Sequence, residues 1–338
     1  MIYTEEILKR AYDTAEPLIA PVRLDLSITE ECNTNCPYCW QIDHTAVGTL
    51  TYEIMAKVIE DLCSWRPPWS LNITGGEPTI WKGFEDLIAL ASRKGIRSIL
   101  INTNAIKLAN INYARKLIET GVTTFDISID TLNIEKHLEL RRFPFSKMQK
   151  ALDNLYELKK TYKFEISLNS VLSKLVTPEE VAAVKEYAYS RSWGFYCQAV
   201  HAGPAEKEYG INEEERDARD KSLSWNKYDD RLKAVQNTDK FSRDTHPLQK
   251  PGARCDKGST TIKMTMNGSV KFCWNGPDTI GNIHDSSILE IWRSHRAKEA
   301  REYIRNKRCS CLFDCDIYES LGLPRSTRKV MELHNTNY

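Results

Sequence analysis

The chain has 338 residues, 47 Lys and Arg against 46 Asp and Glu, and a net charge of +1. That balance gives no electrostatic case for nucleic acid or an anionic membrane as partner, and no apolar run reaches the roughly 18 residues of a membrane span. The length accommodates one large α/β domain and a smaller one.

In chain order, residues 1–21 hold a short amphipathic helix over 5–15, charged and without the basic-then-apolar layout of a signal peptide. Ten cysteines without such a signal read as reduced cytoplasmic thiols kept for metal. Strands are predicted over 23–28, 70–74, 98–102, 124–129, 164–171 and 194–200. Helices alternate with them over 52–65, 84–94, 111–120 and 147–162, and a last one is capped by Thr177 ahead of Pro178, Glu179 and Glu180. Gly95 and Gly121 stop the second and third. Regular βα succession predicts a parallel sheet with right-handed crossovers, a partial (β/α)6 barrel over 22–204 with its chemistry at the C-terminal strand ends.

Residues 205–250 are charged, with Trp225, Tyr228 and Phe241 dispersed, and read as a helical linker or lid. Over 251–320 the pattern is a β-hairpin followed by a helix. Strands 260–266 and 269–274 flank Asn267-Gly268, which suits a type I′ turn. That turn sets Cys273 opposite Ile262, near the open end where Cys255 enters. The helix, over 287–305, carries Ile288, Ile291 and Trp292 on one face. Residues 321–338 are a polar tail.

Cys32, Cys36 and Cys39 stand at C-x3-C-x2-C just after the first strand. Three clustered thiols suit an iron–sulfur cluster. A four-iron cube held by three of them keeps one iron open, as a catalytic metal does. A structural zinc wants a fourth ligand, and His44, the nearest candidate, reads as a surface residue. Gly75-Gly76-Glu77-Pro78 follows the second strand: glycines admit a ligand close to backbone, and a carboxylate holds an ammonium. Ser128 and Asp130 share a face where the fourth strand ends, with Arg141 and Arg142 downstream. Asn102, Asn104 and Asn169 lie at strand ends, as cavity or turn residues. Cys63 reads as core. Cys197, ending the sixth strand, either faces the cavity or is a buried structural thiol, and His201-Ala202-Gly203-Pro204 is either cavity lining or a turn. Cys255, Cys273, Cys309, Cys311 and Cys315 form a second thiol group, for which a zinc ribbon is the alternative.

The three-cysteine loop, with Tyr38 before its last thiol, resembles the radical S-adenosylmethionine (SAM) superfamily. The resemblance implies a [4Fe–4S] cluster whose open iron takes the amino and carboxylate groups of SAM. It also implies a one-electron donor such as flavodoxin or ferredoxin, and cleavage of SAM to a 5′-deoxyadenosyl radical that abstracts a substrate hydrogen. Gly75, Gly76, Glu77 and Pro78 resemble the element holding the methionine amine. Ser128 and Asp130 resemble the element for the ribose or methionine end, with Arg141 or Arg142 pairing the carboxylate. Some family epimerases use a cysteine to return a hydrogen atom to the substrate radical, the role the resemblance offers Cys197 if it faces the cavity. The second thiol group resembles the SPASM/twitch extension and implies one auxiliary [4Fe–4S] cluster, with Cys255 and Cys273 as the matching pair. The C-x-C-x3-C run of Cys309, Cys311 and Cys315 departs from the SPASM spacing and leaves one thiol spare. The expected substrate is a small polar metabolite (a sugar, aminocyclitol or nucleoside) undergoing oxidation, epimerisation or elimination. Maturation of a ribosomally made peptide and a non-enzymatic metal-binding module are the alternatives. Molybdenum-cofactor synthesis ranks low, since the chain ends Asn335-Thr336-Asn337-Tyr338 and not Gly-Gly.

Overall fold

A computed structural model describes residues 17–39, 50–65, 68, 70–199, 208, 210, 258–273 and 279–306. The strands among these are β1 (Arg23–Ser27), β2 (Ser70–Thr74), β3 (Ser98–Thr103), β4 (Thr124–Ser128), β5 (Glu165–Leu172), β6 (Gly194–Ala199), β7 (Thr261–Met264), β8 (Ser269–Lys271) and β9 (Gly281–Asn282). The helices are α1 (Tyr52–Trp65), α2 (Phe84–Arg93), α3 (Ile111–Thr120), α4 (Ile134–Arg141), α5 (Phe145–Leu158), α6 (Pro178–Tyr189), α7 (Ile288–Arg293) and α8 (His295–Asn306). The N-terminal helix, the 205–250 linker and the 321–338 tail of the sequence reading lie outside the described residues.

The described strands form one sheet in the order β6-β5-β4-β3-β2-β1-β7-β8-β9, parallel from β6 through β7. From β1 to β6 the spatial order never reverses, so right-handed crossovers put every intervening helix on the same face. Side chains alternate accordingly. Leu24, Leu26, Leu71, Ile73, Ile99, Ile101, Phe125 and Ile127 are fully buried beneath the helices, against Met55, Val58, Ile59 and Leu62 of α1 and Leu87, Ile88 and Ala91 of α2. Full burial of each such large side chain contributes about 1.5–3 kcal/mol. The opposite, inner face is polar and partly exposed. The expected partial barrel is therefore present, and its sheet is not closed.

Three local expectations are corrected. The helix expected over 147–162 begins at Phe145, after Pro144, and ends at Leu158. Ahead of it lies α4, which the sequence reading missed because its IEKHLELR sequence buries only His137, Leu140 and Arg141. The helix expected over 287–305 breaks at Ser294, whose extended backbone (ψ 158°) ends α7 and whose hydroxyl accepts from Ala297 N at 3.1 Å to start α8.

The hairpin turn also differs. Lys263 pairs with Lys271 and Met264 with Val270, so three residues, 266–268, make the connection beyond Thr265 and Ser269. Gly268 alone of them has positive φ, 81°. This is the type I turn with a left-handed third residue, not the two-residue type I′ form. Asn267 caps it, its Oδ1 accepting from Ser269 N at 3.1 Å. Continued, that register sets Cys273 opposite Thr261 and not Ile262. The hairpin is also not free-standing: β7 runs parallel to β1, with Asp25 beside Lys263. Arg301 of α8 ties the hairpin together, Nε donating to Gly258 O (2.5 Å) and Nη2 to Trp292 O (2.6 Å) with its guanidinium over the Phe272 and Trp292 rings.

Candidate active site

The cysteine loop leaves β1 at the C-terminal edge of the sheet and is fastened to the next three strand ends. Towards β2, Gly76 N donates to Thr29 O (2.6 Å) and Glu77 N to Glu31 O (2.8 Å). A Cβ on Gly75 would lie 2.3 Å from Thr29 O, and one on Gly76 2.2 Å from Glu31 O. The glycines are needed here because two backbones touch, the turn after β2 against the cysteine loop. Towards β3, Asn104 Nδ2 donates to Asn33 Oδ1 at 2.7 Å. Towards β4, the Tyr38 hydroxyl donates to Asp130.

Within the loop, the Thr34 hydroxyl lies 3.2 Å from Cys32 Sγ and 3.9 Å from Cys36 Sγ, and Cys39 N donates to Cys36 O at 3.1 Å. All three thiols are half-buried. Among the described residues no three Cys, His, Asp or Glu side chains gather tightly enough for a single metal ion. A cube asks for something different, one thiolate at each of three corners, and a loop turning two sulfurs about one hydroxyl fits that donor set.

Glu77 is a tie and not a free carboxylate. Its Oε1 accepts from Thr79 N (3.1 Å), Thr79 Oγ1 (2.6 Å) and Thr103 Oγ1 (2.7 Å), and Oε2 accepts from Asn104 N (2.7 Å). The side chain is 1% exposed. Burial raises its pKa, against the pull of these donors. The sequence reading gave this carboxylate to a ligand ammonium; here it accepts from Thr79, Thr103 and Asn104. Pro78 opens the short 3₁₀ turn that Glu77 caps.

Asp130 is also engaged within the protein. Arg141 Nη2 donates to Oδ1 at 2.8 Å, Val171 N donates to the same oxygen at 2.8 Å, and Arg141 Nε lies 2.6 Å from Oδ2, an ion pair too oblique for a hydrogen bond. Burial works against the Arg141 charge, but Asp130, Tyr38 and Cys36 together more than offset it, and the net pKa rises. Burial pushes the Cys36 thiol up, and Arg141 opposes that. Tyr38 is raised well above its ordinary value, chiefly by burial. His137, one turn before Arg141, is buried between Phe143 and Phe145 and is held neutral, pushed down to about 4 by burial and then by Arg141. Asp130, read for the ribose or methionine end, and Arg141, read for a ligand carboxylate, are here paired with each other. Arg142 is an exposed helix cap with φ 60°. Ser128 does share the inner face and is partly exposed.

One level deeper, the inner face carries Asp25 and Lys263 (3.0 Å apart), Asn102 donating to Asn72 Oδ1 at 2.6 Å, Tyr196 donating to Asp126, and Asn169. Burial pushes Asp126 up to about 7, although the Tyr196 bond pulls the other way. Asn102 and Asn169 thus lie on the inner face of the sheet. Cys197 does not. It alternates with Tyr196 onto the helix side and is fully buried in the core, the buried structural thiol of the two alternatives read from the sequence. Sequence reasoning missed Asp25, Asn72, Asp126, Tyr196 and Lys263, although polar residues recurring at every second strand position were the available signal. Cys273 is half-buried just past β8. Cys255, Cys309, Cys311, Cys315 and His201-Ala202-Gly203-Pro204 lie outside the described residues.

A model of the radical SAM superfamily matches residues 26–188, and one of the SPASM iron–sulfur cluster-binding domain matches 255–316. The chain is 31% identical over 170 residues to a 7,8-dihydro-6-hydroxymethylpterin dimethyltransferase of Methanocaldococcus jannaschii, covering 48% of this chain and 33% of that one. It is 26% identical over 201 residues to a GTP 3′,8-cyclase of Clostridium perfringens, covering 57% and 59%. It thus spans about a third to three-fifths of these relatives' lengths. In fold it is similar to Streptococcus suis SuiB bound to SAM (TM-score 0.64, 15% identity, 93% of this chain and 74% of that one). It is also similar to anSMEcpe with bound SAM and a peptide (TM-score 0.62, 17% identity, 94% and 99%). The two family models bring with them a [4Fe–4S] cluster with SAM and a further iron–sulfur cluster. The chain belongs to the radical SAM superfamily and carries a SPASM iron–sulfur cluster-binding domain.

Proposed function

We propose that the protein is a radical SAM enzyme acting on a small polar metabolite bound against the inner face of the sheet. The observation that carries this is the cysteine loop fastened to the ends of β2, β3 and β4, directly above a row of polar side chains. Cys32, Cys36 and Cys39 would hold the cluster, the Gly75-Gly76 backbone would face the methionine end of SAM, and Ser128 its ribose end. When bound, the reduced cluster would supply one electron to the sulfonium of SAM, giving methionine and the 5′-deoxyadenosyl radical that takes a substrate hydrogen. The chain's own part is positioning: Glu77 locks the loops after β2 and β3 to each other, and the Asp130–Arg141 pair seats Tyr38 beside Cys36. Cys273, with Cys255 and two of Cys309, Cys311 and Cys315, would hold one auxiliary cluster. Polar substrate chemistry is supported by Asn72, Asn102, Asp126 and Asn169 on the inner face, and by relatives whose names carry a pterin and a guanine nucleotide.

A peptide substrate is the second reading, favoured by the precursor peptide SuiA held in a SuiB structure of like fold (TM-score 0.64, 14% identity). Anaerobically reconstituted protein is expected to carry about eight irons, from two cubes. With dithionite it should convert SAM to 5′-deoxyadenosine, and the triple Cys32→Ala, Cys36→Ala, Cys39→Ala variant should lose this conversion and about half the iron. A triple variant that still makes 5′-deoxyadenosine would refute the reading.

A further inference from the structure

On the inner face, Asp126 of β4 pairs in register with Ser167 of β5, and Ser128 with Asn169. Asn169 in turn pairs with Tyr196 of β6. Asp126 and Asn169 are therefore diagonal neighbours on one face, within reach of a single small molecule. Tyr196 reaches back across β5 to donate to Asp126 Oδ2. Among the described residues the other oxygen, Asp126 Oδ1, is buried without a hydrogen-bond partner, and so is Asn169 Oδ1. Asp126 as a whole is 2% exposed. Around them Asn72, Asn102, Ser128, Ser167 and Tyr196 are all partly exposed, so the space in front of the pair opens outward.

Buried acceptors without donors are rare because each one forfeits its hydration. Two on one face call for the same complement, a group that brings N–H or O–H donors. From this geometry we infer that Asp126 and Asn169 form a subsite that accepts hydrogen bonds from an ammonium or hydroxyl group of the substrate. The inference rests on the proposed function and names the substrate chemistry of that same cavity. Tyr196 anchors one carboxylate oxygen and so aims the other at the ligand. The raised pKa of Asp126 fits a carboxylate whose charge lacks its counterpart until a donor arrives. The cysteine-loop rim offers no such opening, since the carboxylates of Glu77 and Asp130 are engaged by protein donors.

The test uses the reconstituted holoprotein with SAM and three probes in isothermal titration. Glucosamine offers an ammonium and hydroxyls, glucose offers hydroxyls only, and fully O-methylated glucose offers acceptors only. Saturable binding of glucosamine, glucose or both is expected, with none for the methylated sugar. Asp126→Asn and Asn169→Ala should each weaken that binding about ten- to hundredfold, the worth of one hydrogen bond to a charged or buried group. Preference for glucosamine marks an ammonium, and equal binding marks a hydroxyl. Asp126→Asn should also raise the thermal midpoint without probe, because it removes a buried charge that lacks a donor. A merely structural Asp126 would lower it instead. The inference is overturned if no donor probe binds, if the methylated sugar binds equally, if both variants bind like wild type, or if Asp126→Asn lowers the midpoint. Iron content and 5′-deoxyadenosine formation on the same preparations separate the failures. Their loss in wild type sinks the proposed function, and their presence without probe binding sinks the subsite alone.

Discussion

The rim and the floor of the barrel treat their buried carboxylates in opposite ways. At the rim, Glu77 and Asp130 accept from donors in the turn after β2, the end of β3, β5, the cysteine loop and α4. On the floor, one strand level deeper, Asp126 keeps a single donor among the described residues and leaves an oxygen over. A saturated carboxylate holds backbone in place and has little left for a ligand, whereas a half-satisfied one costs stability and keeps its capacity to bind. The rim is therefore the scaffold for the cysteine loop, and the floor carries the proposed subsite.

Breaking the rim should cost most. Arg141→Ala strands the buried Asp130 charge and is expected to lower stability by about 3–5 kcal/mol, read as a lower urea midpoint at unchanged slope. Iron uptake at the Cys32, Cys36 and Cys39 site should fall with it. Glu77→Gln turns an amide N–H toward Thr79, Thr103 or Asn104, for an expected loss of about 1–3 kcal/mol, measured the same way. Tyr38→Phe removes one hydrogen bond while leaving Asp130 its Arg141 and Val171 partners. A loss of about 1 kcal/mol is expected, and a loss as large as that of Arg141→Ala would show that the hydroxyl, and not the ion pair, holds the loop.

The floor should respond to pH, with the smallest effect. Asp126 moves from an ordinary 3.8 up to about 7 in the folded protein. A raised carboxyl pKa means that the folded state keeps the proton longer than the unfolded chain does. Its contribution is complete below about pH 3.8 and is lost as the pH rises through about 7. Asp126→Asn should therefore flatten the decline of the urea midpoint between pH 4 and pH 8. Parallel wild-type and variant curves would place the decline on other groups, with the buried Glu77, also raised, next in line.

Much of the molecule was legible before the fold was known. The alternation of apolar residues located β1 to β6 to within a residue or two, because one face of each strand must bury. The three-cysteine spacing located the loop that β1 delivers, because metal ligands carry their chemistry in residue type. The Asn267-Gly268 pair marked a turn but mistook its length: Gly268 alone takes the positive φ, and Asn267 works through its side chain. Helix α4 was hidden by its charge, since it is held by a cap and an ion pair more than by an apolar stripe.

Local pattern by itself decided the strands, the helix caps at Thr177 and Ser287, and the thiols offered for metal, because each depends on neighbours a few residues away. Only the tertiary structure decided that Glu77 and Asp130 are ties, that Cys197 faces the core, that β7 lies beside β1, and that Asp126 keeps an oxygen to spare. Those outcomes turn on which distant donors come within about 3 Å of a given oxygen, and that is set by how the strands are ordered and curled against each other.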